Sequence, residues 1–283
     1  MPKGTEKNVK KRLLIVFIAI VFFLALVLGV LEIGVAYTKN SWDYWRPDYE
    51  QTNILPLLEK SSRTEEDYKT LYEQTGLTKI GVDDLLSEGK IEKILTIQAN
   101  YFKPYTVTND NFAPFTYMAE IDWFSTLANL QDGDILISAT TFTSWFRYGH
   151  SALVVDGENQ TVVESVSMGA NSELALASEF TNRASYLVFR PKAEESLRKE
   201  VAAYAKENLV GIPYRITTGI FSKKYEETPT VSHCSHLVWY AYKKFGIDLD
   251  ATGGLVVTPR DMAKSPHLEL VQTFGFNPET LWR

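Results

Sequence analysis

Apolar residues are spread unevenly along the chain, and the longest run stands near its beginning. Residues 13–31 contain no charged side chain, and a basic segment that ends at Arg12 precedes them. A helix crosses a bilayer with about 20 apolar residues, whereas a cleaved signal peptide has an apolar region of about 7–15. We therefore expect a transmembrane anchor over residues 13–36, after a cytoplasmic basic tail over residues 1–12. Removal of the segment at Gly34-Val35-Ala36, as a signal peptide, is the alternative.

The basic flank also predicts the orientation of the anchor, since positive charges favour the cytoplasmic side. The expected location is thus the cell membrane, with a single pass and the rest of the chain outside. Residues 37–120 are predicted to form an extracytoplasmic linker and a small helical extension. The linker is expected over residues 40–62, with Trp42 and Trp45 near the membrane surface. Helical spacing then predicts three short helices over residues 64–74, 82–87 and 91–100.

Residues 101–124 are rich in aromatic side chains, which favour core packing, with one wall of a substrate groove as the alternative. Short apolar runs separated by turn residues follow. They predict strands over residues 135–138, 150–155, 161–167, 185–190 and 268–274, and a helix over residues 193–209. A second helix, with apolar residues at helical spacing from Leu237 onward, is expected to end at Gly246. Residues 121–283 therefore predict an α+β domain with an antiparallel sheet and packed helices.

Charge and cysteine content exclude several classes of function. The formal net charge is -6, and the basic residues near the N-terminus make the remainder still more acidic. Without a basic stripe, nucleic acid is not an expected partner. The single cysteine forbids an internal disulfide and leaves a redox sensor without a resolving thiol. No cofactor is expected. No metal site is expected either, because His233 and His236 lack a third ligand at a recognisable spacing.

Cys234 is the first candidate for chemistry. The pattern places it in the first turn of the helix that ends at Gly246, with Ser232 and its neighbours as the cap. Unpaired N–H groups and the positive end of the helix dipole favour a thiolate there. A thiolate is the form that nucleophilic catalysis needs. A buried structural cysteine is the alternative.

A general base and a group that orients it are the next requirements. His150 is the preferred base, since it opens an apolar strand directly after a loop. Glu164 lies on the next strand between valines, and an antiparallel turn brings it level with the first residues after His150. Its carboxylate is expected to accept a hydrogen bond from the imidazole; a salt bridge or an edge position is the alternative. His267 is a second possible base, whereas His233 and His236 are too close to the cysteine along the helix.

Two motifs carry a family resemblance over residues 130–283. They read G-I-P-Y, ending at Tyr214, and C-S-H-L-V-W-Y-A-Y, beginning at Cys234. The chain resembles the NlpC-type cysteine peptidases of bacterial cell walls. Because the G-H-S-A-L-V-V strand precedes the cysteine, the order resembles the circularly permuted, papain-like branch. The resemblance implies Cys234 as nucleophile, His150 as base, Glu164 as orienter and Tyr214 beside the oxyanion.

Two departures from the family pattern leave the substrate open. His233 stands where an aspartate commonly precedes the cysteine, and His236 stands where the family has glycine. The resemblance implies an extracytoplasmic cysteine hydrolase of the amidase or peptidase type that cleaves an amide bond in cell-wall peptide (peptidoglycan). A lipid amidase or acyltransferase with the same site is one alternative. A non-catalytic binding module of the cell envelope is the other.

Overall fold

The structure is a computed structural model that describes residues 3–41, 44–109, 115–119, 123–143 and 146–282. The chain divides into two compact units. The first contains residues 1–43 and 142–146, and the second contains residues 44–141 and 147–283.

A single long helix, α1 (Lys3–Ser41), makes up most of the first unit. An 18-residue window within its segment Lys10–Gly34 has a mean hydropathy of 3.4, and no residue of that window is buried. By length and composition it can cross a membrane, although a signal sequence has the same properties. The predicted apolar helix is therefore confirmed and extends to Ser41, while its orientation stays a prediction.

Four helices open the second unit. They are α2 (Leu55–Leu58), α3 (Glu65–Thr75), α4 (Lys79–Ser87) and α5 (Ile91–Phe102). The last three confirm the helices that the sequence predicts. The first turn of α3 is closed by a capping box, in which the Thr64 side chain accepts from the Asp67 N–H and the Asp67 carboxylate accepts from the Thr64 N–H. Gly76 ends this helix with φ +72°.

The segment before these helices is not a loose linker, which corrects the interpretation of residues 44–62. The N–H of Trp45 donates to the carbonyl oxygen of Gly275, and its ring lies 5.7 Å from that of Tyr101. Ile54 and Leu58 are buried in the core. Because aromatic and aliphatic side chains here gain contacts inside the unit, the segment packs on it. The expected position of Trp45 near the membrane surface stays a prediction. Trp42 lies outside the described residues.

The strands confirm the predicted α+β class with antiparallel pairing. They are β1 (Thr106–Asn109), β2 (Thr116–Ala119), β3 (Ile135–Ser138), β4 (Phe142–Thr143), β5 (Phe146–Arg147), β6 (His150–Asp156), β7 (Thr161–Glu164), β8 (Glu173–Leu176), β9 (Tyr186–Pro191) and β10 (Leu268–Phe274). Six of them form one sheet in the order β10-β9-β3-β6-β7-β8. The short strands β1, β2, β4, β5 and β8 were not predicted. The proposed boundary at residue 121 stays a prediction.

Helices α6 (Glu195–Asn208) and α7 (Cys234–Lys244) pack against β6, the strand that begins with His150. Every residue of α7 from Cys234 to Tyr242 is buried. A short helix, α8 (Pro259–Ala263), follows and contacts α7. Burial of α7 against the sheet fixes the position of Cys234 relative to β6.

Gly246 allows the chain to leave α7. Its φ is +87°, and its N–H donates to the carbonyl oxygen of Lys243. A Cβ atom at this position would meet no other atom within 4 Å, so an alanine would be penalised only through its backbone conformation. We expect Gly246→Ala to lower the free energy of unfolding by about 1–2 kcal/mol.

The measurement is urea unfolding of the full chain in detergent, followed by circular dichroism. Gly254→Ala is the matched control, because Gly254 has no positive φ and its Cβ would lie 3.6 Å from the Thr252 hydroxyl, an ordinary contact. The control should change stability by less than about 0.5 kcal/mol. Equal losses in the two variants would contradict this explanation of the helix end.

Candidate active site

Cys234 is the first residue of α7, as predicted, and only 5% of its surface is exposed. His233 precedes it as the N-cap residue, in an extended conformation, and its ring nitrogen accepts from the N–H of His236. The cap is therefore His233, which is one of the residues around Ser232 that were predicted to cap the helix. The thiol consequently lies at the positive end of the helix dipole, which favours its deprotonated form.

His150 is the first residue of β6 and is almost completely buried. It follows Gly149, whose φ is +78°. A Cβ atom on residue 149 would lie 2.7 Å from the Ser138 carbonyl oxygen and would clash with the ring of Trp282. Glycine is thus required for the tight turn that leads the chain into β6 and sets the position of the imidazole.

Glu164 is the last residue of β7 and lies opposite Ala152 in the β6–β7 ladder. Its carboxylate Oε2 is 2.5 Å from Nε2 of His150, and both side chains are buried. The expected contact between the two side chains is present, and the ladder shifts register between Val154 and Asp156. A carboxylate accepts, so Nε2 of His150 carries the proton. Its other nitrogen, Nδ1, then remains available as a base.

Burial and hydrogen bonding shift the pKa values of Cys234 and His150 in opposite directions. Burial favours the neutral thiol of Cys234, but hydrogen bonding with His150 and the influence of His233 hold its pKa well below the usual range. Burial likewise lowers the pKa of His150, yet the hydrogen bonds with Cys234 and Glu164 outweigh it and raise that pKa. The opposite shifts favour a thiolate–imidazolium pair over the pH range between the two pKa values.

Glu164 completes the charge balance. Burial favours its protonated form, but the hydrogen bond and the charge of His150 lower its pKa below the usual value. Because the pKa of Glu164 is lowered in the folded state, the stability that it contributes is present above the unfolded pKa of about 4.3. That contribution is lost as the pH falls through the folded pKa. At neutral pH the carboxylate therefore stays ionised and stabilises the imidazolium.

Two phenylalanine rings hold the imidazole in place. Phe115 meets His150 edge to face at 5.6 Å between ring centres, and Phe180 stacks on it at 5.8 Å. Both rings are buried. Phe115 belongs to the aromatic segment that was predicted to form core or a groove wall. Phe180 was missed, since it lies in a short 3-10 turn (Ala177–Phe180) without a periodic pattern.

Tyr214 is half-buried beside the start of the helix. Its backbone forms a parallel bridge with Ser232, two residues before Cys234. Burial, together with the negative charge of the nearby Cys234 thiolate, raises the pKa of Tyr214. The phenol therefore keeps its proton at neutral pH. The influence of the thiolate on this pKa indicates that Tyr214 is close enough to Cys234 for their charges to interact. The role of Tyr214 as an oxyanion donor stays a prediction.

The other histidines have separate places. Nδ1 of His236 is 2.9 Å from the Ser232 hydroxyl, and its Nε2 is 2.7 Å from the Lys224 carbonyl oxygen. Burial lowers the pKa of His236 to about 4, so its ring is neutral and holds the loop before α7. His267 is exposed at the start of β10, where its carbonyl oxygen accepts from the Lys192 N–H.

His233 contributes more than the sequence suggested. It is buried, and Nε2 of its ring has no hydrogen-bond partner within the described part of the chain. Because the ring also lowers the thiol pKa of Cys234, it acts on the thiol in addition to capping the helix. The sequence signal that could have identified this role is the position of His233, directly before Cys234 at the start of the helix. Within the described residues, no group of three or more His, Cys, Asp or Glu side chains could hold a metal ion.

Comparison with known proteins adds a distant similarity. No protein-family model matches the chain. The chain is similar to the uncharacterized protein YycO of Bacillus subtilis (strain 168), with 27% identity over 134 residues. The alignment covers 47% of this chain and 52% of YycO, so it spans about half the length of each protein.

Proposed function

We propose that the chain is a membrane-anchored thiol hydrolase that cleaves an amide bond through Cys234, His150 and Glu164. One observation carries the proposal. The buried imidazole of His150 lies 2.5 Å from the Glu164 carboxylate, and the helix that begins with Cys234 packs against the strand that begins with His150. A nucleophile, a base and an orienter in this sequence of contacts are what acyl transfer requires.

The proposed reaction has two halves. The Cys234 thiolate attacks the amide carbonyl carbon, a C–S bond forms, and the carbonyl electrons move onto oxygen. His150 then gives its proton to the amide nitrogen, so that the C–N bond breaks and the amine leaves. In the second half, His150 takes a proton from water, which attacks the thioester carbon. The C–S bond breaks, and the acid and the free thiolate are released.

The proposal includes a permuted papain-like fold. His150 and Glu164 lie on neighbouring strands that precede the cysteine helix along the chain. That order agrees with the circularly permuted branch of the NlpC-type family, to which the motifs at Tyr214 and Cys234 have a resemblance. The helix that presents the cysteine packs against the strand that presents the histidine. This packing of α7 on β6 can bring a cysteine and a histidine together whether the cysteine precedes or follows the histidine along the chain.

Cell-wall peptide is the proposed substrate, because an outward-facing domain on a membrane anchor lies beside the wall and the resemblance is to wall peptidases. A lipid amide is the second candidate, and exposed apolar side chains favour it. Phe221 is 81% exposed on the loop between Tyr214 and Cys234, and Leu255 is 69% exposed. The backbone of Leu255 lies against Gly219 of that loop. Exposed apolar side chains on adjoining loops are typical of membrane or lipid contact.

The test compares the two substrates directly. Full-length chain in detergent is incubated with purified peptidoglycan or with an N-acyl ethanolamine, and free amino groups and free fatty acid are measured. We expect new amino groups from peptidoglycan, with at least about a thousandfold loss in Cys234→Ala. Fatty acid release that requires Cys234 would replace the peptide substrate with the lipid one. Products formed equally by Cys234→Ala would overturn the hydrolase proposal.

A further inference from the structure

Arg183 is a buried arginine whose guanidinium group lies against two aromatic rings. Only 3% of its surface is exposed, and its guanidinium carbon lies 4.2 Å from the ring centre of Phe115 and 4.1 Å from that of Phe180. Within the described residues, its Nε and Nη1 have no hydrogen-bond partner. A buried donor without a partner costs about 1–3 kcal/mol, and more when it is charged. A buried cation in this state calls for an acceptor that the described part of the chain does not provide.

A cavity of about 500 Å³ gives such an acceptor a place to bind. Its lining includes Arg183, Asn182, Phe115 and Glu164. The side-chain oxygen of Asn182 is also buried without a partner among the described residues. Two neighbouring residues with unsatisfied polar groups, Arg183 and Asn182, therefore line the same cavity.

The cavity adjoins the proposed catalytic groups. Glu164 lines it and also binds His150. Phe115 contacts the imidazole of His150 with its edge and the guanidinium of Arg183 with its face. A ligand held at Arg183 would thus lie next to the residues that orient the base.

The charges of the lining limit the kind of ligand. Glu173 and Glu179 line the same cavity and are exposed, and Glu164 is ionised. Among the described residues of this lining, a dianionic phosphate would face three carboxylates and one cation, Arg183. A carboxylate carries one charge and matches the planar fork of a guanidinium. A neighbouring N–H would satisfy the oxygen of Asn182.

We propose that this cavity binds the carboxylate of a peptide substrate through Arg183, with an adjacent N–H of the peptide bound by Asn182. The term substrate rests on the proposed function, whereas the binding itself does not. A subsite of this kind selects amides that carry a free acid and disfavours neutral lipid amides. The substrate class of the proposed reaction is therefore an amide that carries a free carboxylate.

The experiment measures binding without turnover. Full-length Cys234→Ala chain in detergent is titrated with N-acetylglycine and with N-acetylglycinamide, which differ only in carboxylate against carboxamide, by saturation-transfer NMR. We expect the acid to bind about ten- to a hundredfold more tightly than the amide. Arg183→Gln should reduce that preference to less than about twofold, and Arg183→Lys should retain part of it because the charge remains without the fork.

A second variant covers the case in which Arg183→Gln does not fold. Asn182→Asp leaves the guanidinium in place and adds a negative charge beside the ligand, so it should weaken N-acetylglycine by about tenfold and leave N-acetylglycinamide nearly unchanged. Equal binding of acid and amide, or a preference that neither exchange alters, would overturn the subsite. Normal binding in a chain whose Cys234 proves unreactive would overturn the proposed hydrolase and leave the subsite standing.

Discussion

Glu164→Gln is expected to slow amide hydrolysis by about a hundred- to ten-thousandfold. The carboxylate lies 2.5 Å from Nε2 of His150, and within the described residues it is the acid that contacts this imidazole. A neutral glutamine can still accept a hydrogen bond, but it no longer stabilises an imidazolium. It can also donate, which favours the wrong tautomer of His150. In the proposed reaction, both effects reduce the fraction of Cys234 that is present as the attacking thiolate.

The measurement is the rate of amino-group release from peptidoglycan at neutral pH, with purified full-length chains compared at equal concentration. Glu158→Gln is the matched control, since it removes the same charge from the exposed turn between β6 and β7. The control should alter the rate by less than about threefold. A Glu164→Gln variant that hydrolyses as fast as the control would contradict the assigned role of the carboxylate.

Arg190→Leu is expected to destabilise the second unit by about 3–5 kcal/mol. Nε and Nη2 of Arg190 lie 2.9 Å and 2.8 Å from the two carboxylate oxygens of Asp134, which is fully buried, and Nη1 binds Asp84. Burial raises the pKa of Asp134 even with its partner present. Removal of the guanidinium leaves an uncompensated charge in the core, whose pKa must rise further.

Urea unfolding of the full chain measures this effect, and a double exchange provides the control. Asp134→Asn removes the charge and keeps an oxygen for the N–H of Gln131, which donates to Asp134 at 2.9 Å. In Arg190→Leu the folded-state pKa lies above the unfolded value of about 3.9, so the loss should shrink as the pH falls toward that value. The combined variant should recover at least about 2 kcal/mol. No recovery would show that Arg190 contributes through packing alone.

Local sequence patterns predicted much of the secondary structure. The capping residues around Thr64, the apolar run of β6 and the helical spacing of α7 each depend on neighbours within a few positions. The turn at residues 156–160 predicted that β6 and β7 pair antiparallel, but not their register. A register shift between Val154 and Asp156 brings Glu164 opposite Ala152, which lies on the same face of β6 as His150. From the sequence, the pairing of His150 with Glu164 was therefore a hypothesis that depended on this register.

Contacts between segments that are far apart in the chain could not be predicted from the local pattern of apolar and polar residues. Arg183 packs on Phe115, and Arg190 pairs with Asp84 across 106 positions. Neither contact leaves a periodic signal in the sequence. The segment that contains Trp45 looked like a linker because its tryptophan and prolines lack a period, yet its side chains pack on distant aromatic rings. Side-chain chemistry predicted which residues could react, while tertiary packing decides what surrounds them.

The central claim is that His150 activates Cys234, and alkylation kinetics test it most directly. The chain has a single cysteine, so iodoacetamide reports on one thiol. Rates are measured from about pH 4 to about pH 9 for the full-length wild type and His150→Ala. We predict that the wild type reacts well below the ordinary thiol pKa of about 8.5, and that His150→Ala moves the profile upward toward it. Reaction of both proteins only near that ordinary value, or identical profiles, would contradict the claim and favour a non-catalytic binding module.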